Sequence, residues 1–503
     1  MSHFTDAMQE ATSWTKTANG ADARSSTGNP LVDIFASIGS MRNVPEEELL
    51  KKYVAAYNFD KNLAIKLLFY ARDIRDCGCG ERHTFRAILT FMANLHPESI
   101  SKNIKYIPFY GRWDDLYSLV GTKVEDEMWN FMRFQFYEDL ANAKEGKFVS
   151  LLGKWMKSTN TSSKESVKLG CLTARKMGMK IPVYQKSLSI LRKQIRVVEQ
   201  NMSANKWTDI KYEEVPSNAM TKYRSAFGRH DFDGFGKYLA EVKSGIKKIN
   251  SSTLYPYNLT EKYITGGTSR SAVNRFHYVC NTVDEPDEVV EAQWKALPNY
   301  VDKDANILVV ADTSGSMEGR PIATAIGLAI YFAERNKGEF HNKFMTFSSK
   351  PQFVTISGDT LYKKVLSSVD TDWGNNTDIK KALDMILNVG IRNHLSDDEM
   401  PKALCVVSDM SFDYCCTDAY DNRDFYTVMK QEYENAGYTM PNIVFWNVNG
   451  SGVYHSRYDV KGVQMYSGQS VGTFKNVIDA IGYNAEEAML KALNSPRYEQ
   501  VVA

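Results

Sequence analysis

The spacing of apolar positions changes once along the chain, near residue 300, and divides the sequence into two halves. From about Leu31 to Ile249 these positions recur mostly at helical intervals. A helix is predicted over Glu46–Tyr57, opened by Val44-Pro45 because proline is tolerated in a first turn. Another covers Asn62–Arg72, which is apolar around nearly its whole circumference. Glu81–Leu95 follows and is broken by Pro97. Further helices are expected at Glu125–Glu138, Lys147–Lys157, Val167–Met177, Pro182–Gln200 and Phe235–Ile249. Short breaks rich in Gly, Pro, Asn or Ser separate them, the spacing that stacked helix pairs use. No tidy sequence repeat underlies the series, so the array expected is irregular.

Beyond Tyr300 the pattern alternates. Ile307-Leu308-Val309-Val310-Ala311 is an unbroken apolar run, as for a parallel strand buried on both faces. Helical Ile322–Arg335 comes next, then strand-like Lys343–Phe347 and Phe353–Ile356, then helical Leu361–Val369 and Asp378–Leu387. Strand-like Ala403–Val407, helical Phe425–Gly437, strand-like Asn442–Val448 and Val463–Tyr466, and a last helix near Thr473–Ile481 close the series. Strands alternating with helices predict a doubly wound α/β domain. The fold class expected is α + α/β. A helical-repeat domain spans residues 1–300, with a turn-rich, aromatic connector at about 251–300, and the doubly wound domain spans 301–503.

The residues richest in chemistry follow the first strand of the second half: Asp312-Thr313-Ser314-Gly315-Ser316-Met317. One carboxylate and two hydroxyls at alternate positions leave the carboxyl end of a strand, where open α/β sheets bind ligands. Such hard oxygen donors suit Mg²⁺ or a similar octahedral cation, and three are too few to complete a shell. Further donors at other strand and helix ends are Thr377, which opens a helix after Asp372-Trp373-Gly374-Asn375-Asn376, and Asp409, which in Val407-Ser408-Asp409-Met410 ends a later apolar strand. Alone, Asp-x-Ser-x-Ser is also the pattern of a turn whose serines cap the next helix.

Asp312-x-Ser314-x-Ser316 with Thr377 and Asp409 resembles the metal-ion-dependent adhesion site of von Willebrand factor A domains. That resemblance implies that Ser314, Ser316 and Thr377 contact a divalent ion (Mg²⁺, or Mn²⁺ or Ca²⁺) directly. Asp312 and Asp409 would act mainly through water, leaving a position for water or a partner's carboxylate. In the first half, Thr17-x-Asn19-Gly20-Ala21, Pro30-Leu31-Val32-Asp33, Arg72-Asp73-Ile74-Arg75, Gly80-Glu81-Arg82 and Gly111-Arg112-Trp113-Asp114-Asp115-Leu116 look like the helical TROVE module of Ro ribonucleoproteins, which precedes a von Willebrand A domain. A closer likeness is to an uncharacterised sister family of plants, fungi, large viruses and phages. It is similar in layout, in Asp372-Trp373-Gly374-x-x-Thr377-Asp378 and in Ser408-Asp409-Met410-x-Phe412-Asp413. The resemblance implies a ring of HEAT-like helices, closed by the A domain, that binds structured or misfolded RNA.

Composition first argues against nucleic acid and then qualifies itself. The chain has 61 Lys and Arg against 60 Asp and Glu, a net of +1. Residues 141–280, however, hold 25 basic and 10 acidic side chains, net +15, which leaves −14 elsewhere. A block of that sign can supply the footprint of an RNA surface. Lys186, Arg192, Lys193 and Arg196 lie close together in it. Tyr223, Arg224, Phe227, Arg229 and His230 set aromatic faces beside cations, which suits unpaired bases. Basic helix faces are also often merely solvated, or packed against acidic surface in the same molecule.

Other signals are bland. Seven cysteines in a long chain fit reduced thiols rather than a disulfide framework. Cys77-Gly78-Cys79 with His83 has too unusual a spacing for a zinc site, and Cys415-Cys416 reads as two ordinary thiols. No apolar run reaches the ~18 residues of a membrane span, and no leader pattern opens the chain. A cytoplasmic protein is expected, or a virion-associated one if the chain is viral. The function expected is a non-enzymatic RNA-binding scaffold whose A domain takes a protein partner's carboxylate through the metal. The alternative is a protein-interaction or virion-associated structural protein with the same fold and no RNA.

Overall fold

In the computed structural model the described residues are 13–269, 277–280, 286–301, 306–347, 350–369, 377–412, 425–450 and 452–503. Residues 372–376, Asp413 and the Cys415-Cys416 pair lie outside them. A helical first part is followed by a mixed sheet with mostly parallel strands.

The chain begins with a small hairpin, β1 (Trp14–Lys16) against β2 (Asp22–Arg24), antiparallel with Trp14 opposite Arg24. Helices follow at Pro30–Phe35, Glu46–Phe59, Lys61–Arg72, His83–Leu95, Glu125–Lys144, Lys164–Lys176, Ile181–Gln194, Ser217–His230 and Phe232–Lys243. Several expectations change here. Lys147–Lys157 holds only the turn Leu152–Trp155, because Asp139 accepts from both the Ser150 amide and hydroxyl and pins that stretch open. The run Pro182–Gln200 splits at Arg196, whose φ of 56° takes the chain into the left-handed region and separates Ile181–Gln194 from Val198–Ser203. The connector carries β3 (Ile264–Ser269), antiparallel to β4 (His277–Cys280), and the helix Glu288–Lys295.

Arg72, Arg112, Asp114 and Asp115, four of the residues in the first-half motifs, form one largely buried charge network with Arg86. Arg72 donates to Asp115 at 2.8 Å and Arg86 bridges Asp115 (2.7 Å) and Asp114 (2.8 Å), while the Arg112 amide caps Asp115 at 2.9 Å. Gly78, between the two cysteines, sits where a Cβ would meet Asp73 and the Tyr70 carbonyl at 2.5 Å, so that turn is a packing device.

The sheet contains β5 (Ile307–Ala311), β6 (Lys343–Thr346), β7 (Phe353–Thr355), β8 (Ala403–Ser408), β9 (Asn442–Asn447) and β10 (Val463–Ser467), in the order β10-β9-β8-β5-β6-β7. All neighbours are parallel except β7, which returns antiparallel to β6 at the edge. Strands β5 and β8 are buried at every position, which is why each reads as a continuous apolar run. The order runs outward from β5 in both directions, the doubly wound arrangement, with its switch point between β5 and β8. Thr473–Asp479 is not the last helix: Ala485–Leu493 follows, opened by a reciprocal Asn484/Glu487 capping box.

The two parts share one hydrophobic core, which reaches from Ala21 to Val501. Gly39 touches Gly468 so closely that a Cβ would lie 2.6 Å from its nitrogen, and Ser467 bonds the Gly39 amide and the Phe35 carbonyl. The C-terminal stretch returns to the first helices: Arg497 pairs with Asp73, Tyr498 donates to the same carboxylate at 3.0 Å, and Tyr110 bonds the Arg497 carbonyl. A second, smaller core gathers Tyr212, Met220, Phe227, Phe235 and Tyr238 with Val289. Among the described residues no helix is long and apolar enough to cross a membrane.

Candidate functional site

The carboxyl ends of β5 and β8 lie side by side, and the pairing continues one residue beyond β5, where the Asp312 amide donates to the Val407 carbonyl at 3.0 Å. This fixes Asp312, fully buried, at the switch point. Both of its carboxylate oxygens are held: one accepts from the Ser314 amide at 2.9 Å, the other from the Ser408 hydroxyl at 2.5 Å. Ser408 Oγ in turn accepts from the Met410 amide at 3.0 Å. Met410 takes a φ of 65°, uncommon for a residue with a side chain, and so turns the chain immediately after Asp409. Asp409, also buried, accepts from the Ser411 amide at 3.0 Å.

Three hydroxyls complete the arrangement. Ser314, buried, and Ser316, exposed, stand on a 3₁₀ turn with their oxygens 3.1 Å apart. Thr377 is buried just ahead of the helix Ile379–Asn393, which Asp378 caps. Its hydroxyl donates to the Ser411 carbonyl at 3.2 Å and so ties its loop to the one carrying Asp409. Among the described residues no three His, Cys, Asp or Glu side chains converge. These neighbouring loops thus carry two buried carboxylates and three hydroxyls, Asp312 and Asp409 with Ser314, Ser316 and Thr377.

Burial, and then the charge of Asp409, push the Asp312 carboxyl up to about 7. Asp312 and Asp409 therefore lie near enough that the charge of Asp409 disfavours that of Asp312. Just beyond Asp409, Met410 and Phe412 contact His455, which sequence reading did not single out. It stacks on Phe412 at 4.0 Å, sits 3.0 Å from the Met410 carbonyl, and burial lowers it to about 4, so the imidazole is neutral.

Residues 17–148 and 159–307 match a family model described as a domain of unknown function, DUF2828, and residues 306–500 match a second such domain, DUF7788. The first match alone covers more than half of the sequence. The chain belongs to the DUF2828 family. A relative, Uncharacterized protein L728 of Acanthamoeba polyphaga mimivirus, is 28% identical over 518 residues, 95% of this chain and 86% of that protein. The crystal structure of the Deinococcus radiodurans Ro (RSR) protein aligns over 93% of this chain and 99% of that one, with a TM-score of 0.40 and 12% identity.

Within the DUF2828 match, the residues proposed from sequence for RNA fare unequally. Lys186 and Lys193 are exposed on the helix Ile181–Gln194, and Arg229 is exposed on Ser217–His230. Arg192 is a correction: its guanidinium bonds the carbonyls of Gly153 (3.0 Å) and Met156 (2.9 Å) and the Ser158 hydroxyl (2.9 Å), so its role is internal. Phe227 is another, being fully buried in the second core and presenting no face to a base. Arg196 pairs with Glu214 at 2.7 Å and Arg224 with Asp287 at 2.6 Å. Tyr223 donates to Glu199, and His230 stacks on Trp207 at 4.2 Å. Sequence reading passed over two aromatics in the basic block, Phe148 and Phe232, which are 87% and 78% exposed. Helix periodicity gives no warning of an exposed phenylalanine.

Proposed function

We propose that the crevice at the ends of β5 and β8 is a metal-ion-dependent adhesion site of the von Willebrand factor A kind, built for Mg²⁺ or a similar divalent cation. The observation that carries this reading is the pair of buried carboxylates, Asp312 and Asp409, with Asp312 held near 7 by burial and by its neighbour. Ser314, Ser316 and Thr377 would hold the ion directly, and Asp312 and Asp409 would hold its water ligands and balance its charge. When bound, the ion supplies an open coordination position for the carboxylate of a protein partner. Binding rather than turnover fits the surroundings, because His455 is buried, neutral and bonded to a backbone carbonyl, not placed as a general base. In a thermal melt, Mg²⁺ should raise the transition of the wild-type chain and leave Asp312→Ala unmoved. Equal responses of the two proteins to Mg²⁺ would remove the assignment.

The wider reading is a scaffold that joins this docking site to RNA held on the helical part, with the helical array forming a ring closed by the sheet domain. Its support is the net +15 of residues 141–280, with Lys186, Lys193 and Arg229 exposed in that block. RNA that copurifies with the chain and dissociates steeply with salt is the expected result. A nuclease-resistant assembly free of RNA would favour the alternative, a protein-interaction or virion-associated structural role.

A further inference from the structure

The turn of the N-terminal hairpin lies against the loop that carries Asp409. Thr17 Oγ1 donates to the Phe412 carbonyl and Asn19 Nδ2 to the Ser411 carbonyl, both at 2.6 Å across nearly 400 residues of sequence. The turn that presents them is internally fixed. The Thr17 amide bonds the Ala21 carbonyl at 2.9 Å, the Ala21 amide bonds Thr17 Oγ1 at 3.0 Å, and Gly20 supplies the φ of 92° that closes it. On its other strand, Arg24 and Tyr454 exchange backbone bonds of 2.7 and 2.8 Å, next to His455. The hairpin therefore bonds both the loop that carries Asp409 and the one that carries His455.

The Ser411 carbonyl takes two donors, Asn19 from the hairpin and Thr377 from the site. A threonine hydroxyl that donates its proton to a fixed carbonyl has its lone pairs directed away from that carbonyl. We propose that Thr17 and Asn19 are positioning residues for the metal centre: by holding Ser411 and Phe412 they orient the Thr377 hydroxyl as a donor to the cation. This rests on the metal reading above and adds a consequence to it. Because the hairpin turn bonds the loop that carries Asp409, cation binding and hairpin docking are linked, and linkage is reciprocal. The ion strengthens the docking of the hairpin as much as the docked hairpin strengthens binding of the ion.

The test uses the full chain and Mn²⁺ alone, titrated by the electron paramagnetic resonance of the free ion, with hydrogen exchange read at residues 13–24. Thr17→Val and Asn19→Ala should each weaken Mn²⁺ binding about tenfold or more, the usual effect of removing a group that orients a ligand. Thr17→Ser, which keeps the hydroxyl, should bind as wild type. Mn²⁺ should slow exchange at the Thr17, Gly20 and Ala21 amides of the wild-type chain, a readout that needs no variant to fold. If Thr17→Val and Asn19→Ala bind Mn²⁺ like wild type and hairpin exchange ignores the ion, while Asp312→Ala loses binding, the positioning role is wrong and the metal centre stands. A wild-type chain that takes up no Mn²⁺ overturns both.

Discussion

Replacing Asp312 by Asn should make the metal-free protein more stable at alkaline pH. The native carboxyl titrates near 7 against 3.8 for the unfolded chain, because burial and Asp409 disfavour its charge. Between those values the folded state binds the extra proton, so stability falls as pH rises from about 4 to about 7 and is flat above. The full penalty, about 3 pKa units at 1.36 kcal/mol each, is about 4 kcal/mol. Asn keeps the shape and removes the charge. It also turns one carboxylate acceptor into an amide donor, so one of the bonds from the Ser314 amide and Ser408 hydroxyl is lost, at about 1 kcal/mol. The net gain is about 3 kcal/mol at pH 8 and close to zero at pH 5. Melting in EDTA across that range, wild type beside variant, measures it; a gain of this size is a shift of several degrees. Adding Mg²⁺ at pH 8 should raise the wild type and leave the variant where it is. An Asn variant that is less stable than wild type by the same amount at pH 5 and pH 8 would refute the picture of a buried, mutually repelling pair.

Other consequences are checked more simply. Asp115→Ala leaves the buried Arg72 guanidinium without its carboxylate and should destabilise the chain by about 3–5 kcal/mol in urea unfolding. Phe227→Ala should cost about 3–5 kcal/mol within the second core only, with hydrogen exchange accelerated in Ser217–His230 and Phe232–Lys243 and unchanged in β5 and β8. Lys186→Glu, Lys193→Glu and Arg229→Glu together should weaken RNA retention and flatten its salt dependence in a filter assay, whereas Arg192→Met should disturb folding before it touches RNA.

The strands of the sheet were legible because burial on both faces leaves an unmistakable mark: Ile307–Ala311 and Ala403–Ser408 hold no exposed position and nearly no polar one. The residues proposed to hold a metal stood out for a different reason. Three of the five stand within one pentapeptide at a strand end, and strand ends in this topology are where ligands bind. What sequence reading lost depends on tertiary contacts. The three-residue strands of the N-terminal hairpin are too short to show a period, and Asn19 and His455 acquire their places only from carbonyls about 390 and 45 residues away. Helix spacing over residues 147–157 was overridden by Asp139, and over 182–200 by the left-handed Arg196. Arg192 and Phe227 fit an RNA-facing pattern yet are held inside, since charge and aromaticity do not reveal which face of a helix is covered.

The central claim is tested most directly by crystals of the chain soaked in Mn²⁺ and measured at the manganese edge. One anomalous peak is predicted between Asp312, Ser314, Ser316, Thr377 and Asp409, absent from Asp312→Ala. A crevice without that peak in the wild type, or manganese bound only elsewhere, would contradict the account.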